Sequence, residues 1–297
     1  MDRRIRNAVH VLKPCALALV AFAMMPSTAA AHTGRDNIAS SLWGVLLAAV
    51  LFGGAALAYR GFQAAAHRRR AHRDAALFAA GWLTIVAALL SPIDVYGEVA
   101  FSVHMLQHVL LMNLGVPLLL LAKPAHYVPA GAPRAARAWS ATRIRPPLRR
   151  LWLRATAVSS GFIINAVVIW IWHYPPIHDW ALVTPSAHVL QHLSFTGGAV
   201  VFWAAIWRAA GRARAGLAIL SLFATAIHTG ILGAFLTFSA RTWYGGYTPS
   251  DIGLDPLADQ QLAGAIMWIP GGFSYTIAAV VMMQTWLRLS DAGLKRI

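Results

Sequence analysis

The sequence predicts an all-α membrane protein, a polytopic bundle of seven transmembrane helices that follow an N-terminal signal peptide. The chain of 297 residues is 58% hydrophobic and only 12% charged, so most of it is unsuited to the surface of a soluble protein. Seven apolar runs are each long enough, at roughly 20 residues, to cross the ~30 Å of a bilayer. They cover approximately residues 38–59, 75–91, 99–122, 155–172, 187–207, 215–238 and 260–287.

The first 31 residues predict a secretory signal peptide rather than a helix of the bundle. Basic residues up to Lys13 precede a short apolar stretch from Cys15 to Met25, and Ala29-Ala30-Ala31 offers a cleavage site. Cleavage after Ala31 would make His32 the first residue of the mature chain and remove the only cysteine. Retention of the segment as an eighth, anchoring span is the alternative.

The distribution of the net charge of +15 predicts the orientation in the membrane. If the basic end of the signal lies in the cytoplasm, the segments 60–74, 123–154 and 208–214 and the C-terminus lie there too, and they hold nearly every Lys and Arg. The outer segments keep only Arg35 and Arg241. This positive-inside pattern predicts that the mature N-terminus lies outside and the C-terminus in the cytoplasm. The expected location is the plasma membrane of a bacterium. Anionic lipid, and not nucleic acid, is the expected partner of the basic loops.

Residues 32–297 are expected to form a single seven-helix transmembrane domain. One sizeable interruption, the basic cytoplasmic loop at 123–154, is rich in Arg, Pro and Ala. Pro146-Pro147 argues against one continuous helix in this loop, because proline lacks the backbone N–H that a helix interior needs.

A pattern that occurs twice suggests where the chemistry lies. His104-Met105-Leu106-Gln107-His108 is in the third run and His188-Val189-Leu190-Gln191-His192 is in the fifth. One complete span separates these runs, so the two helices point the same way and both pairs lie at similar depth in the outer half of the bilayer. Histidines four residues apart share a helix face and can offer two nitrogens to one ion. Because an ionisable group in a membrane costs ~2.5 kcal/mol or more unless it is paired or functional, we expect metal binding at these four.

Other residues extend this prediction less firmly. His228 in the sixth run, and His173 and His178 at the outer end of the fourth, are metal candidates for which a structural hydrogen bond is an open alternative. Met112 continues the stripe of His104 and His108, although methionines there are expected mainly to pack. Imidazole suits copper, zinc, iron and nickel alike. The absence of other cysteines and the nearby thioethers favour copper.

Together these motifs resemble one family, the seven-span CtaG-type cytochrome c oxidase assembly factors linked to caa(3)-type oxidases. The resemblance covers about residues 40–287. It rests on His104–His108 with Leu110-Leu111 and Pro117–Leu119, Trp172–Pro175, His188–His192, Ile227–Gly230 with Gly233, and Leu257–Gly264 with Met267–Gly272.

The resemblance implies a membrane assembly factor that helps to produce an active haem-copper oxidase by supplying copper. The implied partners are subunits of cytochrome c oxidase, the lipid bilayer and an extracytoplasmic copper carrier. The implied metal residues are His104, His108, His188, His192, His228 and His173, with Asp259, Met112 and Met267 as possible ligands or residues that orient them. For Asp259 two roles stay open, the orientation of a ligating imidazole and the N-cap of its own helix.

Three other functions remain as alternatives. A zinc- or iron-dependent intramembrane enzyme would need an open coordination position and an acid or base, for which Asp259 is the candidate. A haem-binding electron carrier would use one histidine from each of two helices. A metal transporter would need further ligands in the inner halves of the spans, and only Met282 and Met283 lie there.

Overall fold

The structure, a computed structural model, describes residues 38–67, 70–211, 213–247 and 253–294. The predicted signal peptide and His32 lie outside these residues. The α-helices are α1 Ile38–Ala64, α2 Ala71–Leu90, α3 Pro92–Gly97, α4 Phe101–Val109, α5 Val116–Leu121, α6 Pro124–Gly131, α7 Arg134–Trp139, α8 Arg145–Ala155, α9 Val158–Trp172, α10 Pro175–Val183, α11 Pro185–Ala209, α12 Ala215–Thr237 and α13 Pro256–Leu294. Two π-helical segments occupy Leu110–Gly115 and Ser140–Ile144.

The predicted polytopic all-α fold is confirmed. Six stretches in the described part of the chain are long and apolar enough to cross a membrane: Val45–Ala64, Ala71–Leu90, Phe101–Leu121, Pro185–Ala209, Ala215–Thr237 and Pro256–Ser290. A seventh candidate combines Leu148–Ala155 with Val158–Trp172, which meet at a bend of 78°. These stretches coincide with the seven predicted apolar runs.

The basic segment at 123–154 is largely helical. Helical structure is interrupted at Ala132-Pro133 and then continues from Arg134 to Ala155. Pro146-Pro147 therefore does not break the helix as expected. Both prolines lie in the first turn of α8, and the wider π turns of Ser140–Ile144 come directly before that helix. The change from π to α geometry falls where the two prolines remove backbone N–H donors.

The described residues divide into two compact units, those up to residue 79 together with 122–137, and residues 80–121 together with those from 138 onward. In the first unit, α1 packs closely on α6. The ring of Tyr127 lies 4.2 Å from that of Phe62, and its hydroxyl donates a hydrogen bond of 2.8 Å to the buried Asp74. A single domain over residues 32–297 stays a prediction.

The core of the second unit is formed by large apolar side chains of α9, α11, α12 and α13. Phe195, Phe202, Trp203, Leu222 and Leu232 are all nearly inaccessible to solvent. Helices α12 and α13 make the most extensive contact in the chain. Their backbones approach closely at Gly233 and Gly264, where a Cβ added to Gly264 would lie 2.5 Å from the carbonyl oxygen of Gly233. Small residues at such a crossing let membrane helices pack backbone to backbone.

The third apolar run contains a change of helix type directly after the first histidine pair. Leu110–Gly115 is π-helical, and the Val116 N–H donates to Leu111 O, five residues back. Pro117 follows and has no N–H to offer to the carbonyl of Asn113, so the regular α pattern fails here for a local reason. The widened turn lets Trp203 of α11 donate its indole N–H to Met112 O at 2.9 Å.

Candidate metal centre

Both histidine pairs are preformed within their helices. The Nε2 atoms of His104 and His108 lie 2.8 Å apart, and those of His188 and His192 lie 2.9 Å apart. At these distances one ring of each pair donates a hydrogen bond and the other accepts it. The spacing of four residues therefore acts as the sequence predicts, because it brings two rings onto one face of each helix.

The two pairs lie against each other. The ring centroids are 6.0 Å apart for His104 and His188, 5.1 Å for His108 and His192, and 6.2 Å for His104 and His192. The first histidine of one pair lies beside the first of the other, and the second lies beside the second. This arrangement fits two helices that run in the same direction. His104 is 1% exposed and His108 5% exposed, while His188 and His192 are partly buried.

Asp259 holds the beginning of the helix that carries the first pair. Its Oδ2 accepts the N–H of Phe101 at 2.6 Å, and its Oδ1 accepts the N–H of Ser102 at 3.1 Å. A carboxylate at a helix N-terminus is stabilised by the unpaired N–H groups and the helix dipole. The N-cap interpretation of Asp259 is wrong, because its carboxylate bonds the backbone of α4 and Asp255 caps α13 instead. A role of Asp259 in orienting a ligating imidazole stays a prediction.

Gln107 connects the same helix to the segment before it. Its Nε2 donates to Ala88 O at 2.8 Å and to Asp94 Oδ1 at 2.7 Å. Burial raises the pKa of Asp94 to about 6, the hydrogen bond from Gln107 opposes the rise, and the nearby Glu98 adds to it. The corresponding Gln191 is also buried, but its Oε1 has no hydrogen-bond partner among the described residues.

His178 is a fifth member of the cluster, although the sequence favoured no role for it. Its ring centroid lies 5.4 Å from that of His104, and its Nε2 lies 3.1 Å from the hydroxyl of Tyr247. Tyr244 covers the His178 ring at 4.3 Å. Burial, with a smaller contribution from His173, lowers the pKa of His178 to about 3, so the ring is neutral at neutral pH. We call His104, His108, His178, His188 and His192 the histidine cluster.

His173 lies beside this cluster and is itself buried. Its Nδ1 is 2.7 Å from Ile169 O, so Nδ1 carries the proton that the carbonyl accepts. The Nε2 atom of the neutral ring then carries a lone pair, and it has no hydrogen-bond partner among the described residues. Burial lowers the pKa of His173 to about 4, and the bond to Ile169 only partly opposes this.

His228 is placed apart from the cluster. Its Nδ1 accepts a hydrogen bond of 3.3 Å from the indole N–H of Trp170, and its ring lies 5.9 Å from that of Phe162. These contacts are with α9 and not with another histidine. The structural alternative that the sequence left open for His228 is the one that its neighbours support.

The predicted methionines line a small cavity next to the cluster. Met112 and Met267 border a void of about 40 Å³, together with His108 and His173. Both methionines are buried. Helix spacing suggested one face for His104, His108 and Met112, whereas only the family resemblance implied that Met267, distant in the chain, lies near them.

The imidazoles are close together without forming a complete coordination sphere. Among residues 38–67, 70–211, 213–247 and 253–294, no three His, Cys, Asp or Glu side chains form a ready-made metal-binding group. The Nε2 atoms instead face each other in pairs, and His108 Nδ1 and His192 Nδ1 are buried without a hydrogen-bond partner. Chemically, the arrangement offers neutral nitrogen donors in an apolar setting, where one shared proton holds each pair together.

Comparison with known proteins identifies the family. The sequence model of the cytochrome c oxidase caa3 assembly factor family, Caa3_CtaG, matches residues 56–289. No curated protein and no solved structure matches the chain. The match includes both histidine pairs, Asp259 and the cavity-lining methionines. The chain therefore belongs to the cytochrome c oxidase caa3 assembly factor family.

Proposed function

We propose that this membrane assembly factor binds copper at the histidine cluster and supplies it to a haem-copper oxidase. The observation that carries the proposal is the meeting of two His-x-x-x-His pairs from α4 and α11, with ring centroids 5.1 to 6.2 Å apart. Four imidazoles at this spacing, near the beginnings of two helices, are far more than a structural hydrogen bond needs.

The chemistry of the donor set fits a metal ion. Buried polar atoms normally have partners, and two ring nitrogens of this cluster have none among the described residues. In the proposal, copper takes the place of the hydrogen bond within a pair. The donor ring moves its proton from Nε2 to Nδ1, so that the Nε2 lone pairs of both rings can bind the ion and no proton is lost from the pair.

Copper is favoured over other metals by the surroundings of the cluster. Imidazole alone does not distinguish copper from zinc, but thioether sulfur is a soft ligand that selects cuprous copper. Met105, Met112 and Met267 all lie next to His108 around the cavity. The chain has no cysteine after Cys15, so thioethers are the only soft donors near the site.

The contacts of the acidic residues support a binding role over an enzymatic one. A zinc hydrolase would need a carboxylate beside the metal, but both oxygens of Asp259 accept backbone N–H groups of α4. Asp94 is engaged with Gln107.

The proposed copper route runs along the outer side of the plasma membrane. The positive-inside pattern assigns the beginnings of α4 and α11 to the outer side, where an extracytoplasmic carrier can deliver copper. The oxidase then receives the ion from the cluster within the membrane. This route needs no ligands on the cytoplasmic halves of the helices.

Metal analysis of variants tests the proposal. His108→Ala/His192→Ala removes one ring from each pair, whereas His228→Ala removes a histidine that contacts Trp170 and Phe162 instead of the cluster. We expect the double variant to insert normally but to lose copper during detergent purification, and cells that carry it to lose oxidase activity. His228→Ala should retain both. Wild-type copper content or normal oxidase activity in the double variant would contradict the proposal.

A further inference from the structure

A second group of metal-binding side chains lies directly next to the histidine cluster. The cavity of about 40 Å³ is bordered by three thioethers, those of Met105, Met112 and Met267, and by two imidazoles, those of His108 and His173. We call this cavity the methionine chamber. His108 belongs to both the chamber and the histidine cluster, so the two share a side chain.

The three methionines come from two separate stretches of the chain. Met105 precedes His108 by one turn of α4, Met112 follows it in the π-helical segment, and Met267 comes from α13. All three are buried, with exposed fractions of 2%, 6% and 8%. The π-helical turn takes part in this arrangement, because it changes the direction in which Met112 projects relative to a regular α-helix.

Close packing alone does not account for the chamber. Methionine is a common filler of irregular cores, but a filled core leaves no space. The remaining void exceeds the ~10–15 Å³ that one water needs. The chamber also receives two imidazoles that each have a buried nitrogen without a hydrogen-bond partner among the described residues, His108 Nδ1 and His173 Nε2. Buried polar atoms normally have a partner, so two unpartnered nitrogens on rings that border the chamber are available to a ligand.

The tautomer of His173 suits a ligand. Because Nδ1 donates to Ile169 O at 2.7 Å, the ring orientation is fixed and Nε2 carries the lone pair. A backbone carbonyl that holds the distal N–H is the usual arrangement behind a metal-binding histidine. The donor set is therefore two nitrogens and three neutral thioethers, without a carboxylate.

We propose that the methionine chamber is a second metal site, selective for a monovalent soft cation, Cu(I), which passes between it and the histidine cluster through His108. The inference rests on the proposed copper function and adds to it an oxidation state and a second position. Neutral thioethers bind cuprous copper and bind zinc or cupric ions poorly. No electron transfer is involved, since the ion enters and leaves as Cu(I).

X-ray absorption of the full-length protein, purified in detergent and loaded anaerobically with Cu(I), tests the chamber. We expect sulfur in the copper coordination shell of the wild type. Met112→Leu/Met267→Leu, which preserves apolar volume, should lose this sulfur signal and reduce Cu(I) affinity by roughly tenfold or more, because removal of groups that only orient a ligand already costs about that much at other metal sites. Met282→Leu is the matched control, because Met282 is a buried methionine of α13 that does not border the chamber.

Three results would overturn the inference: no copper bound by the wild type, a shell of nitrogen or oxygen alone, or sulfur ligation and affinity unchanged in Met112→Leu/Met267→Leu. If the chamber holds water and not copper, the copper shell contains nitrogen or oxygen alone, which is the second of these results. His188→Ala/His192→Ala, whose residues do not border the chamber, separates this outcome from that of the proposed function. If copper has nitrogen ligands alone and His188→Ala/His192→Ala loses oxidase activity, the proposed function stands and the chamber inference fails. If copper has sulfur ligands and His188→Ala/His192→Ala keeps normal oxidase activity, the chamber inference stands and the proposed function fails.

Discussion

Gln107 and Asp259 show that the polar residues around the histidines mainly hold the helix in place. Gln107 joins α4 to Ala88 and Asp94, while Asp259 binds the first two N–H groups of α4. Each such bond fixes the position of His104 and His108 without touching their rings. The imidazoles are therefore positioned by the backbone of α4, which is anchored at its beginning and along one side.

The four motif histidines could be placed from the sequence because their spacing follows directly from helix geometry. Their close approach in the structure agrees with that reasoning, and their role as ligands stays a prediction. The contacts of His178 and Asp259 could not be placed in this way. His178 meets Tyr247 across 69 positions, and Asp259 meets Phe101 across 158, so no local pattern reports them. A second histidine in the short Trp172–His178 stretch was the only available signal.

Replacement of Asp259 by Asn should destabilise the protein. Asn keeps one acceptor oxygen, but its amide group would face a backbone N–H of α4 that then has no acceptor. A buried donor left unpaired costs about 1–3 kcal/mol, and Asp259 is 2% exposed. We expect a lower midpoint of thermal unfolding in detergent, as measured by circular dichroism. Asp255→Asn is the control, because Asn is as good an N-cap as Asp. Equal midpoints for the two variants would rule out the anchoring role.

Acidification should destabilise the protein through His178. Its pKa is about 3 in the folded protein and near 6.5 ordinarily, so between these values the unfolded chain binds a proton that the folded one does not. Stability is then lost as pH falls below 6.5, by at most ~1.4 kcal/mol per pH unit. Between about pH 7 and pH 5, the unfolding midpoint of His178→Gln should fall less than the unfolding midpoint of the wild type. Protonation of Asp94, whose pKa is raised to about 6, stabilises the folded protein on acidification. This effect is the same in the wild type and in His178→Gln. Identical pH slopes would show that His178 is not buried as a neutral ring.

One local departure from regular helix structure arranges the helices of the second unit. The π-helical turn at Leu110–Gly115 presents Met112 O to Trp203, and Asn113 beside it accepts the hydroxyl hydrogen of Tyr275 at 3.0 Å. The sequence predicted an uninterrupted third run, since hydropathy does not distinguish α from π turns. Pro117 was the visible signal, because it removes one helical N–H.

The crossing of α12 and α13 gives a prediction about a single methyl group. Gly264→Ala would place a Cβ 2.5 Å from Gly233 O and 2.7 Å from the Thr237 N atom, so the helices must move apart. Overpacking of this kind typically costs about 1–3 kcal/mol. Gly272→Ala on the same helix meets nothing within 4 Å and serves as the matched control. We expect reduced thermal stability and cellular accumulation for Gly264→Ala only. A similar loss in both variants would point to a general effect of alanine in α13.

At the scale of the whole molecule, composition and hydropathy were sufficient to predict the all-α membrane fold. The bilayer requires every spanning backbone group to bond within its own segment, so long apolar runs in such a chain become helices. The division into two compact units was not predictable in the same way. The second unit contains the complete histidine cluster and the chamber, so the proposed chemistry depends on the helices of that unit alone.

The orientation of the second unit in the membrane can be tested with single cysteines. Cys15 is the only native cysteine, so its replacement by Ser gives a background without thiols. Ser186→Cys lies at the exposed beginning of α11, near the histidine cluster, and Ser290→Cys lies on the exposed last turns of α13, near the basic C-terminus. The positive-inside pattern predicts that a membrane-impermeant maleimide labels Ser186→Cys in intact cells, and Ser290→Cys only after the membrane is opened. The reverse pattern would place the cluster on the cytoplasmic side, and copper would then have to come from a cytoplasmic carrier.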